Sequence, residues 1–173
     1  MFENLLNYIG VCNYMKYTIF NIRVGVDILN YEMWEEKRIE MAEIKNFIYC
    51  LNINAEDGRT DLVGVLNAIT PEYIPGLFSF SISFALLDID EGEHILDVKF
   101  KDPDKNVIAG INGAKVSYKK DENSNLPDSQ MGINVAAGMQ NVDFKKSGLY
   151  STEVILDGIS IGEYSILAKG KNE

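Results

Sequence analysis

The chain reads as an all-β protein, an antiparallel sandwich of two sheets with about seven to nine strands. Three observations predict this. The stretch Leu77–Ile89 (LFSFSISFALLDI) alternates with a period of two, setting Phe78, Phe80, Ile82, Phe84 and Leu86 against Ser79, Ser81, Ser83 and Ala85. Successive side chains of a strand point to opposite faces, whereas a helix would smear those five bulky groups around its circumference. Turn signals built on Gly, Pro, Asp and Asn separate the apolar runs that follow Met41. The connections between those runs are too short for βαβ crossovers, which need a dozen or more residues. No repeat of fixed period is visible.

Residues 1–40 are read as an N-terminal extension to a sandwich domain spanning 41–173. They scatter Asn, Tyr and Ile without a clean period and contain no Pro. Glu3 precedes any basic residue, and Lys16 and Arg23 interrupt the apolar part, so the segment makes a poor signal peptide. Two readings stand. One is a genuine extension, helical near Tyr31–Ile44 or disordered. The other is a mis-called start, with translation beginning at Met41: Trp34-Glu35-Glu36-Lys37 back-translates to a purine-rich run of the ribosome-binding kind.

From Met41 the elements follow in order. Ile44–Asn54 is rich in β-formers and ends at the Asp57-Gly58 turn. Thr60–Ile69 returns as a second strand, in which Gly64 suggests a bulge or a close backbone approach. Pro71 and Pro75-Gly76 make a crossing loop into the central strand Leu77–Ile89. An acidic turn at Asp88–Glu93 leads to His94–Lys101, where Leu96, Val98 and Phe100 oppose Asp97, Lys99 and Lys101, as in a half-buried antiparallel strand. Asp102-Pro103-Asp104-Lys105-Asn106 turns the chain into Val107–Lys119, made irregular by Gly110 and Gly113. The polar Lys120–Gln130 is a surface loop. In Met131–Phe144 the apolar phase slips by one residue near Gln140-Asn141, which predicts a β-bulge. Leu149–Leu156 and Ile159–Lys169, joined at Asp157-Gly158, close the domain.

Composition excludes some functions. Sixteen basic against twenty-six acidic residues give a net charge of −10; from Met41 on, 20 acidic minus 12 basic leave −8. Direct nucleic-acid binding, which needs a basic patch, is not expected. No apolar run reaches the roughly 18 residues of a bilayer span. Cys12 and Cys50 are too few for a disulfide framework, and neither their spacing nor the lone His94 fits a zinc pattern. A reduced, cytoplasmic protein without cofactor is the expectation.

Three places carry a family resemblance: Gly58-Arg59-Thr60-Asp61-Leu62-Val63-Gly64 after the opening strand, the Pro-containing loop before the apolar strand, and the closing pattern Phe144…Gly148-Leu149-Tyr150…Val154…Asp157-Gly158…Leu167. On these, residues 41–170 resemble a family of uncharacterised bacterial and phage proteins with an immunoglobulin-like sandwich. The Gly-x-Tyr before a late strand is similar to the device by which many such domains fix a corner, although the Cys…Trp…Cys signature is absent. The resemblance implies a fold and no activity.

Candidate chemistry is sparse. Asp102-x-Asp104-x-Asn106 places three oxygen-bearing groups on alternate residues, as calcium loops do, and Asp88-x-Asp90-x-Gly92 and Asp121-x-Asn123-x-Asn125 are similar. All lack the Gly and distal Glu of a full EF-hand loop, and Asp and Asn are what turns use in any case. His94 would need a nucleophile brought to it by the fold. Cys50 reads as a small buried hydrophobe. A carboxylate pair suited to hydrolysis is not singled out by any spacing. An acidic mimic of nucleic acid would need a dense carboxylate array, whereas here lysines alternate with the acids. The distinctive feature is the strip Ser79, Ser81, Ser83: small, flat and without charge, where solvent-facing strands usually carry Lys, Glu, Thr or Arg. It marks close approach of something, either this chain's own loop or N-terminal segment, or a protein partner or second copy. The functional expectation is a non-enzymatic protein-binding or self-assembling module, with an accessory phage or prophage role as the setting the resemblance implies.

Overall fold

The computed structural model describes residues 42–56 and 59–172. Among them, nine strands form two sheets: β1 (Glu43–Glu56), β2 (Arg59–Val65), β3 (Ala68–Ile69), β4 (Gly76–Leu87), β5 (Gly92–Lys101), β6 (Val107–Tyr118), β7 (Gly132–Phe144), β8 (Gly148–Leu156) and β9 (Ile159–Ala168). One sheet has the order β2-β1-β4-β7 and the other β3-β9-β8-β5-β6. The pairs are antiparallel except β3 with β9, which is parallel. This is the two-sheet sandwich expected from the periodicity, with a single short 3-10 turn at Asp128–Gln130 as the helical piece among the described residues. The extension, the Met41 start and the Asp57-Gly58 turn lie outside those residues. Of the helix expected near Tyr31–Ile44, only the end is described, and Glu43 and Ile44 are strand.

β4 takes the interior position predicted for it, paired with β1 on one side and β7 on the other. Its Phe80, Ile82, Phe84 and Leu86 are buried, and they face Leu96, Val98 and Phe100 of β5 and Tyr150, Val154 and Leu156 of β8. Burial of each such side chain stabilises the fold by about 1.5–3 kcal/mol. Aromatic rings fill the middle: Phe80 lies 5.0 Å from Phe100, which stacks on Tyr150 at 5.6 Å. One polar link crosses this apolar layer. The Tyr49 hydroxyl donates to the Tyr164 carbonyl at 2.8 Å and shares a second hydrogen bond with Thr152 Oγ1, also 2.8 Å. Burial pushes the Tyr49 phenol up to about 12.

The irregularity of β7 falls where the sequence places it, others do not, and one strand assignment is corrected. In β7 the four residues Met139–Val142 stand opposite the three residues Phe78–Phe80 of β4, and Asn141 sits at φ 52; this is the bulge expected from the phase slip. A second bulge, in β1 between Lys45 and Ile48, was not foreseen. The correction concerns Thr60–Ile69, which is two strands in different sheets. The Leu66 N–H bonds the Tyr49 carbonyl, after which the chain leaves the first sheet and buries Ile69 beside β9. Burial of Ile69 against the second sheet outweighs continuation of an exposed edge. Gly64 is neither a bulge nor a backbone approach: register continues through it at φ 66, and a Cβ there would lie 2.7 Å from the Leu51 side chain.

The corner expected near Gly148-Leu149-Tyr150 is also present. The buried Tyr150 donates its hydroxyl to the Lys146 carbonyl at 2.8 Å, the tyrosine-corner arrangement of immunoglobulin-like sandwiches.

Candidate functional site: the outer face of the four-stranded sheet

Residues paired across antiparallel strands share a face. Starting from Ser79, Ser81 and Ser83, the register therefore assembles the rest of that face. Ser81 stands opposite Cys50 and Gly138, and Ser83 opposite Ile48 and Ala136; Val65 flanks Cys50 from β2, with Val63 beside Asn52. The middle of this surface carries no charged side chain. Glu43 and Lys45, paired with each other, mark one end, and Asp143, opposite Leu77, marks the other.

The three serines share one face, as their spacing required, but they are not equally available. Ser79 is occupied: its Oγ accepts the Asn141 N–H at 2.9 Å and so satisfies the bulge in β7. Ser81 is buried at 6% exposure, and Ser83 is half-buried. Ala136 and Gly138 on β7 and Val63 and Val65 on β2 are exposed. These were missed in the sequence, although the outward set of Met131–Phe144, with Asn134, Ala136 and Gly138, is as free of charge as the serine strip. Cys50 is buried, as expected, but not in the central core: it sits on the outward side opposite Ser81, with its thiol donating to the Ser81 carbonyl at 3.7 Å. Burial raises the pKa of that thiol.

The remaining candidates are held in local structure. Asp102 Oδ1 accepts the backbone N–H groups of Asp104 and Asn106 at 2.8 and 2.9 Å, and the Asn106 amide donates to the same carboxylate. These bonds hold the Asp102 carboxyl below its usual range. Asp104 pairs with Lys146. Asp121 Oδ1 likewise accepts the Asn123 N–H at 3.0 Å. The oxygens of Asp102, Asp104 and Asn106 thus build a turn, in the manner of Asx motifs. Among the described residues no three His, Cys, Asp or Glu side chains gather at metal-holding distance. His94 has both ring nitrogens engaged, Nδ1 with Asp157 Oδ2 at 2.7 Å and Nε2 with the Asp90 carbonyl at 2.8 Å. Neither nitrogen is free to act as a general base in this arrangement.

No helix of the described residues is long and apolar enough to cross a membrane. No curated protein sequence matches the chain. Solved structures that align with the chain include a glycosyl hydrolase family 2 member from Bacteroides cellulosilyticus, at 17% identity and TM-score 0.40 over 57% of this chain and 13% of that one. The alkylpurine DNA glycosylase AlkC of Pseudomonas fluorescens follows at 11% identity and TM-score 0.41, over 74% of this chain and 30% of that one. An immunoglobulin-like protein from Pseudomonas aeruginosa shares 14% identity at TM-score 0.36, over 75% of this chain and 97% of that one. The chain thus spans under a third of the first two. A family model described as a family of unknown function, DUF6941, matches residues 45–169, and the chain belongs to that family.

Proposed function

We propose that this domain is a non-enzymatic binding module that associates with a second copy of itself through the outer face of its four-stranded sheet. The observation that supports the reading is the segregation of charge. In a chain of net charge −10, the middle of this face is free of it. Two copies carry the same net charge, and two uncharged, small-residue faces can approach without burying an unpaired ion. A face-to-face pairing is also self-complementary, as a two-fold contact requires.

Its size sets its strength. Four strands about 4.8 Å apart, over about five residues, present roughly 300 Å². That is well under the roughly 800 Å² per partner of a standard stable interface, so the association is weak and reversible. A cytoplasmic setting in an accessory phage or prophage role accords with the resemblance noted in the sequence. The acidic-mimic alternative has less support, because Glu153, Glu163 and Asp104 are tied to lysines. Amide NMR spectra recorded over a dilution series test the proposal. Signals of Ser83, Ala136 and Gly138 are expected to move with concentration while those of Lys99 and Glu153 stay fixed. No movement up to millimolar protein, or movement on the five-stranded sheet, would sink it.

A further inference from the structure

His94 stands at the start of β5 between two connections at one end of the sandwich, and both of its nitrogens meet oxygen acceptors. Nδ1 lies 2.7 Å from the Asp157 carboxylate and Nε2 lies 2.8 Å from the Asp90 carbonyl. A neutral imidazole has one N–H and one lone pair. In this pocket a neutral ring would turn its lone pair toward an oxygen; only the imidazolium satisfies both contacts. The acceptors are themselves fixed. Asp157 opens the two-residue β8–β9 turn, and its other oxygen accepts the Ile95 N–H at 2.8 Å. Asp90 lies in the β4–β5 turn, which reaches the β6–β7 connection through Asp88 N–H to the Met131 carbonyl and through Glu91 Oε1, which accepts the Lys120 N–H.

We infer that His94 is a proton-operated clasp: as an imidazolium it ties the β4–β5 turn to the β8–β9 turn, and loss of its proton releases the Asp90 link. Of the two bonds, the one to the carboxylate is the stronger and is kept by the neutral ring. The released turn is the one that supports the β6–β7 connection, beside a hollow of about 350 Å³ lined in part by Tyr118, Lys119, Leu126 and Met131. The clasp therefore makes the order of one loop end depend on pH.

The charged surroundings point the same way. Asp157 and Asp90 act on the ring, and their hydrogen bonds raise its pKa against a smaller opposing effect of burial. Glu91 and Glu93 adjoin it in sequence. From β6 the residue opposite is Val116, with Lys115 and Tyr118 nearby on that strand. Because the folded pKa is raised, the clasp is complete below the ordinary histidine pKa of 6.5 and is lost as pH rises through the folded value.

His94 is the sole histidine of the chain, so its ring resonances in a proton NMR titration are unambiguous. The midpoint is expected above 6.5, and Asp157→Asn is expected to lower it. Amide protection factors, corrected for intrinsic exchange, are expected to fall at Glu91 and Glu93 across that midpoint in the wild type and to stay level in His94→Gln. A wild-type midpoint at or below 6.5, or protection in the turn that ignores the midpoint, would overturn the inference. The wild-type measurements decide it even if Asp157→Asn fails to fold.

Discussion

The two sheets share one interior and differ on their outer faces. The five-stranded sheet carries charge through its middle. Lys101 pairs with Glu153 at 2.8 Å, Lys105 with Glu163 at 2.9 Å, and the Ser151 hydroxyl donates to Glu163. The four-stranded sheet offers Ser, Ala, Gly, Cys and Val at the corresponding depth. A solvated strand face normally needs side chains that keep water close and strangers away. One sheet has that provision and the other lacks it, although both come from the same acidic chain. The asymmetry distinguishes a face made for solvent from one suited to contact.

The largest effect tests what the two sheets have in common. Phe80→Ala empties the middle of the shared core and should cost about 3–5 kcal/mol, with both sheets melting in one transition by urea titration. Two separate transitions would mean that the sheets are independent, and the comparison of their faces would then concern two bodies.

Next comes the polar link between them. Tyr49→Phe leaves the Tyr164 carbonyl and Thr152 hydroxyl without their partner inside the sandwich and should cost about 1–3 kcal/mol. It also has a pH signature. A free tyrosine titrates near 10 and Tyr49 near 12, so the folded state holds the proton more tightly. Stability therefore falls as pH climbs from 10 through 12, by on the order of 2–3 kcal/mol. In Tyr49→Phe that alkaline decline should be shallower, as read from urea midpoints at successive pH values.

The outer faces should respond more weakly and for different reasons. Ser79→Ala removes the acceptor of the Asn141 bulge and should cost about 1 kcal/mol, independent of salt. Lys101→Met breaks a half-buried ion pair on the outer face and should cost about 1 kcal/mol or less, fading in part as salt is added. A salt-sensitive Ser79→Ala would remove the distinction between the two faces.

How much of this was legible in the sequence depends on what kind of constraint each residue obeys. Strand periodicity is local, so the Phe/Ile/Leu wall of β4, the inward set Leu96, Val98 and Phe100, and the phase slip at Asn141 could all be read directly. The split of Thr60–Ile69 could not: Leu62, Val63, Val65, Leu66 and Ile69 are all apolar, and which sheet buries Ile69 is decided by β9, about a hundred positions away. The candidate face was half legible for the same reason. The serine strip stands out within one strand, but its accessible neighbours lie on β2 and β7 and become neighbours only through register. Ser79 was readable as small and polar, whereas its hydrogen bond to the bulge needed the fold. The two acceptors of His94 were equally hidden, since Asp157 belongs to a turn of the other hairpin.

The central claim, that the uncharged face is where copies meet, is tested most directly by sedimentation equilibrium of the full chain over a wide concentration range. Ala136→Arg plants a charge in the middle of the four-stranded face, and Ser165→Arg plants the same charge on the exposed face of β9 in the other sheet. The wild type and Ser165→Arg should gain apparent mass toward the dimer as concentration rises, while Ala136→Arg stays at the monomer mass. A wild type that remains monomeric into the millimolar range, or an Ala136→Arg variant that associates as well as the wild type, would contradict the account.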